Sequence, residues 1–255
     1  MKKIKAITRK PHLLIFSCIC IFIILSAFKL GAFRASTSKN QIDFPVMSLI
    51  PNMAILDVKV EDGSVYLLLR NDANKAITAI SLSSSGVNYR SDFIDTADII
   101  APGAIHTEQC GLPSSTSPEK GITVLAVVYE DRTSGGDAKY VKQIYDVRAG
   151  TQAQLSHILP LFRDALATPK NMRLMQKREA IKLALQQLPE EEEGKSFEYH
   201  LGLHDAKELA IDKLKQLEQI EQEKGEETAR QVLPHMIEKY EKRNLSILNS
   251  LKRIK

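Results

Sequence analysis

The chain has 255 residues, 44% hydrophobic and 26% charged, with 12 Gly, 10 Pro, 3 Cys and no Trp, a composition of ordered globular proteins rather than disordered or collagenous ones. Three cysteines cannot build a disulfide scaffold, and no Cys/His array has the spacing of structural zinc. The net charge of +4 is divided as +7 over residues 1–44, −4 over 45–148 and +1 over 149–255, so the folded part lacks the clustered cations that a nucleic-acid partner requires.

Lys2, Lys3, Lys5, Arg9 and Lys10 precede sixteen apolar or small residues, LLIFSCICIFIILSAF at 13–28, followed by Lys29. With Lys29 snorkelling, about twenty residues are available to cross the hydrocarbon. Residues 1–34 are therefore expected to form a basic cytoplasmic tail and a transmembrane signal anchor, with the bulk of the chain exported. A cleaved signal peptide is the alternative; its small-residue site, Leu30, Gly31 and Ala32, is loose. Cys18 and Cys20 read as small apolar residues of the run rather than lipidation sites. Residues 35–45, small and polar, read as a linker.

From residue 46 the pattern becomes short β-type runs punctuated by turn residues. Strands are expected at 55–60 and 65–69, joined by the hairpin signal Asp62-Gly63, and then at 76–82, 87–94, 104–109 and 122–129. The runs VYLLL and TVLAVVY are nearly continuous, as in central strands covered on both faces. No helical crossover separates the strands, so 46–131 is expected to be a small antiparallel β-sandwich resembling the immunoglobulin or fibronectin type III layout, without the Cys and Trp pair of antibody domains. Cys110 reads as a partly buried strand-end residue rather than an intermolecular disulfide partner. Ser117 and Lys120 match S-x-x-K, but Pro118 places them in a loop, and neither S-D-N nor K-T-G occurs.

At 123–155, the stretch TVLAVVYEDRTSGGDAKYVKQIYDVRAGTQAQL resembles a strand-to-helix motif, E-D-G-T-x-x-G-D, of functionally uncharacterised bacterial exported proteins, with Arg132 where that pattern has Gly. The resemblance implies an envelope location and no particular activity. Physically, Gly135 and Gly136 make a turn and Asp137 caps the next helix, a reading preferred to calcium binding by Glu130, Asp131 and Asp137.

The rest, 132–255, is expected to be helical. Val141, Ile144, Leu155, Ile158, Leu159, Phe162 and Leu166 recur at helical spacing through about 167, with kinks at Gly150 and Pro160. Thr168 and Pro169 open a second helix, PEEEEGKSF at 189–197 interrupts as a solvated loop, and Asp205 with Glu208 opens a third. A fourth begins near Glu226 and ends in KRNLSILNSLKRIK, with no acid in its final fourteen residues. Its stripe of Tyr240, Ile247, Leu248, Leu251 and Ile254 is expected to dock on the helix before it rather than on an anionic surface. A hairpin or small bundle is expected, with oligomerisation through this region open.

His200 and His204 have the i, i+4 spacing of zinc hydrolases, but Leu201 stands where the catalytic Glu would be and the expected cap at Asp205 puts the pair before the helix. The expected class is α+β: an N-terminal membrane anchor, an Ig-like sandwich, then a helical half. The expected function is a membrane-anchored, extracytoplasmic interaction or scaffold protein of the bacterial envelope, with an unidentified protein partner, no cofactor and no catalytic or metal-binding residue. The alternatives are a metal-dependent hydrolase using His200 and His204, or a secreted protein.

Overall fold

The computed structural model describes residues 44–94, 99–112, 121–167 and 173–252. Its strands are β1 (Val46–Ser48), β2 (Met53–Glu61), β3 (Ser64–Asn71), β4 (Ile77–Ser84), β5 (Val87–Asp92), β6 (Ile105–Gly111), β7 (Ile122–Tyr129) and β8 (Ser134–Gly136). Its helices are α1 (Ala138–Ala167), α2 (Leu174–Gln186), α3 (Phe197–Lys224) and α4 (Glu226–Leu251). One sheet is ordered β1–β7–β4–β5, with β8 also paired to β7; the other is β2–β3–β6. The pairings are antiparallel except that of β1 with β7, which is parallel.

Two tight turns set the hairpin registers. Asp62 and Gly63 (φ 48° and 75°) join β2 to β3, and Ser85 and Gly86 (φ 49° and 87°) join β4 to β5. Positive φ at both central residues matches the twist of the flanking strands. Between the sheets lies one apolar core, in which Val65, Leu67 and Leu69 of β3 meet Ile80 and Leu82 of β4 and Val124 and Val127 of β7.

The two apolar runs have different fates. Burial alternates strictly along β3, so VYLLL belongs to a strand covered on one face, which corrects the expectation of two covered faces. Along β7 every residue but Thr123 is buried. The cause is α1, whose Ile144 lies against Ala79, Ala126 and Val128 on the outer face, flanked by Tyr140, Val141 and Tyr145. Further along, α1 leaves the sheet, and its Leu155, Ile158, Leu159 and Phe162 join a third core with apolar residues of α2, α3 and α4.

The helix ends explain where the helices start. Asp137 Oδ1 accepts the Lys139 N–H at 2.8 Å, capping α1, which then runs unbroken through Gly150 and Pro160. Ser196 Oγ accepts the Tyr199 N–H at 3.2 Å and caps α3. The expectation that Asp205 opens this helix is therefore corrected: a cap further upstream makes 197–204 helical too. Helix α2 has no side-chain cap of its own. Instead Glu226 of α4 accepts the Leu174 N–H at 2.9 Å, and Lys207 of α3 donates to the carbonyls of Gln186 and Leu188 at 3.3 and 3.2 Å. Both charges have the sign that the helix dipole favours.

Helices α1 and α3 cross at two glycines. A Cβ on Gly150 would lie 1.9 Å from the Tyr199 carbonyl oxygen, and one on Gly202 would lie 2.1 Å from that of Val147. The two backbones are in contact, and Thr151 Oγ1 donates to the Gly202 carbonyl at 3.3 Å.

The expected fold class is corrected in its first element. Among the described residues no helix is long and apolar enough to cross a membrane, because each carries an apolar stripe on one side only, as in α1, where Lys142, Asp146, Arg163 and Asp164 interrupt it. Among the described residues the architecture is α+β, with two sheets and four helices. The apolar run at 13–28 expected to form the anchor lies outside the described residues, as do Ser117, Lys120 and the Thr168–Pro169 pair.

Candidate functional site

His200 and His204 lie on the first two turns of α3, inside the helix rather than before it. Each is held by the acidic loop: His200 Nε2 is 2.9 Å from the Glu192 carbonyl oxygen, and His204 Nδ1 is 3.3 Å from Glu190 Oε2. Glu190 also accepts Lys207 Nζ at 2.6 Å. Lys207 and His204 together hold its carboxyl below the usual range. Glu192 accepts the Tyr199 hydroxyl at 2.7 Å, and burial followed by this carboxylate pushes that phenol up to about 12. The four-glutamate run is thus partly folded back onto α3. Among the described residues no group of three His, Cys, Asp or Glu side chains could hold a metal ion.

The strand-to-helix segment resolves into a turn around Asp131 and Arg132, the short strand β8 and the Asp137 cap; Gly135 and Gly136, expected to make the turn, instead pair with Val127 and Ala126 of β7, which corrects that expectation. Arg132 adopts a φ of 71°, which glycine occupies without strain. Asp131 Oδ1 accepts from the Thr133 N–H and hydroxyl at 3.0 and 2.6 Å, and its Oδ2 lies 2.6 Å from Lys75 Nζ. The ammonium first, then the hydroxyl, lower the Asp131 pKa to about 2. Glu130 accepts the Ala76 N–H at 3.3 Å. The three carboxylates therefore face separate partners instead of converging on a cation.

Several polar groupings had no signal in the sequence because their members are far apart in it. At the edge between the sheets, buried Glu108 accepts Ser91 Oγ at 2.9 Å, and its other oxygen is 2.9 Å from His106 Nε2. The carboxylate sits between hydroxyl and imidazole, so the arrangement clasps β5 to β6 and gives the hydroxyl no base. Where α1 meets the sheet, Arg148, 1% exposed, holds both Asp92 oxygens at 2.8 and 2.9 Å and donates to the Thr78 carbonyl and hydroxyl at 3.1 Å. Beside it a polar cleft of about 200 Å3 contains Arg90, Asp205 and Arg243. Burial raises the Asp205 carboxyl above its ordinary range and lowers the Arg90 guanidinium. Cys110 is 2% exposed, in the core between the sheets, and burial together with Glu108 pushes its thiol up to about 11.

The arrangement best suited to binding lies between α3 and α4. These helices form an antiparallel pair turning at Gly225, whose φ is 87°. A groove of about 350 Å3 opens between them, floored by Leu209, Leu217, Ile220, Val232, Met236 and Tyr240. Tyr240 is fixed from below: its hydroxyl donates to the Leu209 carbonyl at 3.2 Å and its ring stacks on Phe162 at 5.6 Å between centroids. The rim carries Lys213, His235, Lys239 and Arg243 and no carboxylate. Of the nearby acids, Asp212 is turned to Lys215 at 2.8 Å and Glu241 to Arg163 at 2.6 Å, while Glu238 lies 2.8 Å from Lys242 and 3.8 Å from His235 of the rim. The rim did have a signal in the sequence, because His235, Lys239 and Arg243 recur at four-residue spacing. The C-terminal stripe turns inward, with Tyr240 and Ile247 in the helical core and Leu251 packed at its margin.

No protein-family model matches this chain, and neither a curated protein nor a solved structure matches it.

Proposed function

We propose that this chain is an exported, non-catalytic interaction module that engages a protein partner through the groove between α3 and α4. The groove carries the reading: six apolar side chains line an opening of about 350 Å3 that no described element covers. Apolar surface kept in contact with water is unfavourable, and concave apolar openings with a few charged groups at the rim are the usual form of a binding site. Export is supported by the order of residues 1–34, cations first and then an apolar run.

Two experiments test the halves of the proposal. A photo-crosslinking residue at Lys239, in the groove rim, should capture a protein in bacterial cells, whereas the same residue at Leu183, 60% exposed on α2, should not. Equal capture at both positions, or none at Lys239, refutes the groove. A reporter active only outside the cytoplasm, fused after Lys255, should be active; an inactive fusion of intact size refutes export.

A further inference from the structure

Resting on the reading of this groove as a docking site, we infer that its occupant is an acidic amphipathic helix of about three turns, contributed by another protein. Length comes first. On α3 the floor runs from Leu209 to Ile220, and on α4 floor and rim run from Val232 to Arg243, each about 16 Å at the helical rise, or three turns of an occupying helix. The floor is periodic in the way a helix requires: Val232, Met236 and Tyr240 repeat every four residues, facing Leu209, Leu217 and Ile220. A helix seated there would add a member to the existing bundle and bury its own apolar stripe at i, i+3, i+4 and i+7.

Charge then selects among occupants. His235, Lys239 and Arg243 form a row one turn apart, spanning about 12 Å. A single lipid headgroup meets one end of such a row, while carboxylates at four-residue spacing along a helix meet all of it. Lys213 adds a cation on the opposite rim; Asp212 and Glu241 are engaged elsewhere, and Glu238 is shared between Lys242 and His235, which leaves Lys213 and Lys239 as rim cations that no neighbouring acid among the described residues faces at ion-pair distance. Residues 1–44 carry +7, and residues 253–255 contribute Arg253 and Lys255, the wrong sign for this place. An acidic helix from another protein has the right one.

The probe is a labelled helical peptide of about 18 residues with leucines on one face and glutamates at four-residue spacing beside them, titrated into the full-length chain. Its counterpart has lysine for every glutamate. The glutamate peptide should bind, more weakly as salt is raised, and the lysine peptide should not. In the double variant Lys213→Glu and Lys239→Glu the preference should reverse, with at least about a tenfold loss for the glutamate peptide and binding gained by the lysine peptide. A misfolded variant cannot produce that gain. Arg243 is left in place because it also borders the cleft containing Asp205. Equal affinity for both peptides, no binding of the glutamate peptide, or binding to anionic phospholipid vesicles that the double variant abolishes would each overturn the inference. If the peptides fail while Lys239 still crosslinks a partner in cells, the interaction reading stands and its acidic-helix form falls; if crosslinking fails too, both fall.

Discussion

Replacing Gly150 by alanine tests whether α1 and α3 touch through their backbones. The new Cβ would sit 1.9 Å from the Tyr199 carbonyl oxygen and 2.9 Å from its carbon, whereas non-bonded heavy atoms settle near 3.5 Å, so the helices must part by roughly 1.5 Å. Both neighbours are main chain and have no rotamer to yield. A gap of 0.5–1 Å already forfeits about a quarter to a half of each contact's attraction, and the Thr151 bond to the Gly202 carbonyl, now 3.3 Å, would break. Overpacking of this kind costs about 1–3 kcal/mol or more. Alanine's better helix propensity returns about 1 kcal/mol. Taking the upper end, because rigid backbone is what must move, the net cost is about 2 kcal/mol, or a fall of about 4–8 °C in Tm for a chain of this size. Gly202→Ala, with its Cβ 2.1 Å from the Val147 carbonyl oxygen, should cost a similar amount. The double variant should cost less than the sum by about 1 kcal/mol or more, since one separation accommodates both methyls. Thermal and urea unfolding followed by helical circular dichroism measures all three. A Gly150→Ala chain as stable as the parent, or costs that add in full, would refute the close crossing.

Three further outcomes are expected. Arg132→Gly should raise stability by about 0.5–1 kcal/mol, because a φ of 71° strains a residue with a Cβ, and a loss in urea unfolding would contradict the turn. Asp131 should titrate near pH 2 by carboxyl NMR, and Lys75→Met should move its midpoint up towards the ordinary value of about 3.9. Because the folded pKa is the lower one, the stabilisation is full above the unfolded pKa and disappears as the pH falls through about 2; the exposed pair limits it to below about 1 kcal/mol. Cys110, followed by peptide-resolved alkylation, should stay unmodified in the native chain at pH 8 and react fully in urea, and rapid native labelling would contradict its burial.

Periodicity made the strands and the apolar stripes legible, since both depend on neighbours a few residues apart. The Asp62-Gly63 hairpin and the Asp137 cap follow from local backbone chemistry and could be read directly. What could not be read depends on what lies across a face. VYLLL and TVLAVVY look alike, yet only the second is covered on its outer side, because α1 passes over it. The same holds for glycine. Gly150 reads as a kink and Gly202 lies ahead of the helix start expected at Asp205, but both sit within unbroken helices, at the point where two backbones meet. Of the candidate site, the basic row on α4 is visible in the sequence, whereas the floor it borders depends on how α3 returns beside α4.

The 30 residues of α1 span about 45 Å, and this rod belongs to the sheet at one end and to the helices at the other. Truncation therefore has no safe position. A fragment ending at Gly136 would uncover Ala79, Ala126 and Val128 along its two inner strands, a flat apolar strip prone to stacking against another sheet. A fragment beginning at Ala138 would leave Ile144 in water and Arg148 without Asp92, a guanidinium the fold keeps 1% exposed. Sheets and helices should accordingly melt in one cooperative transition.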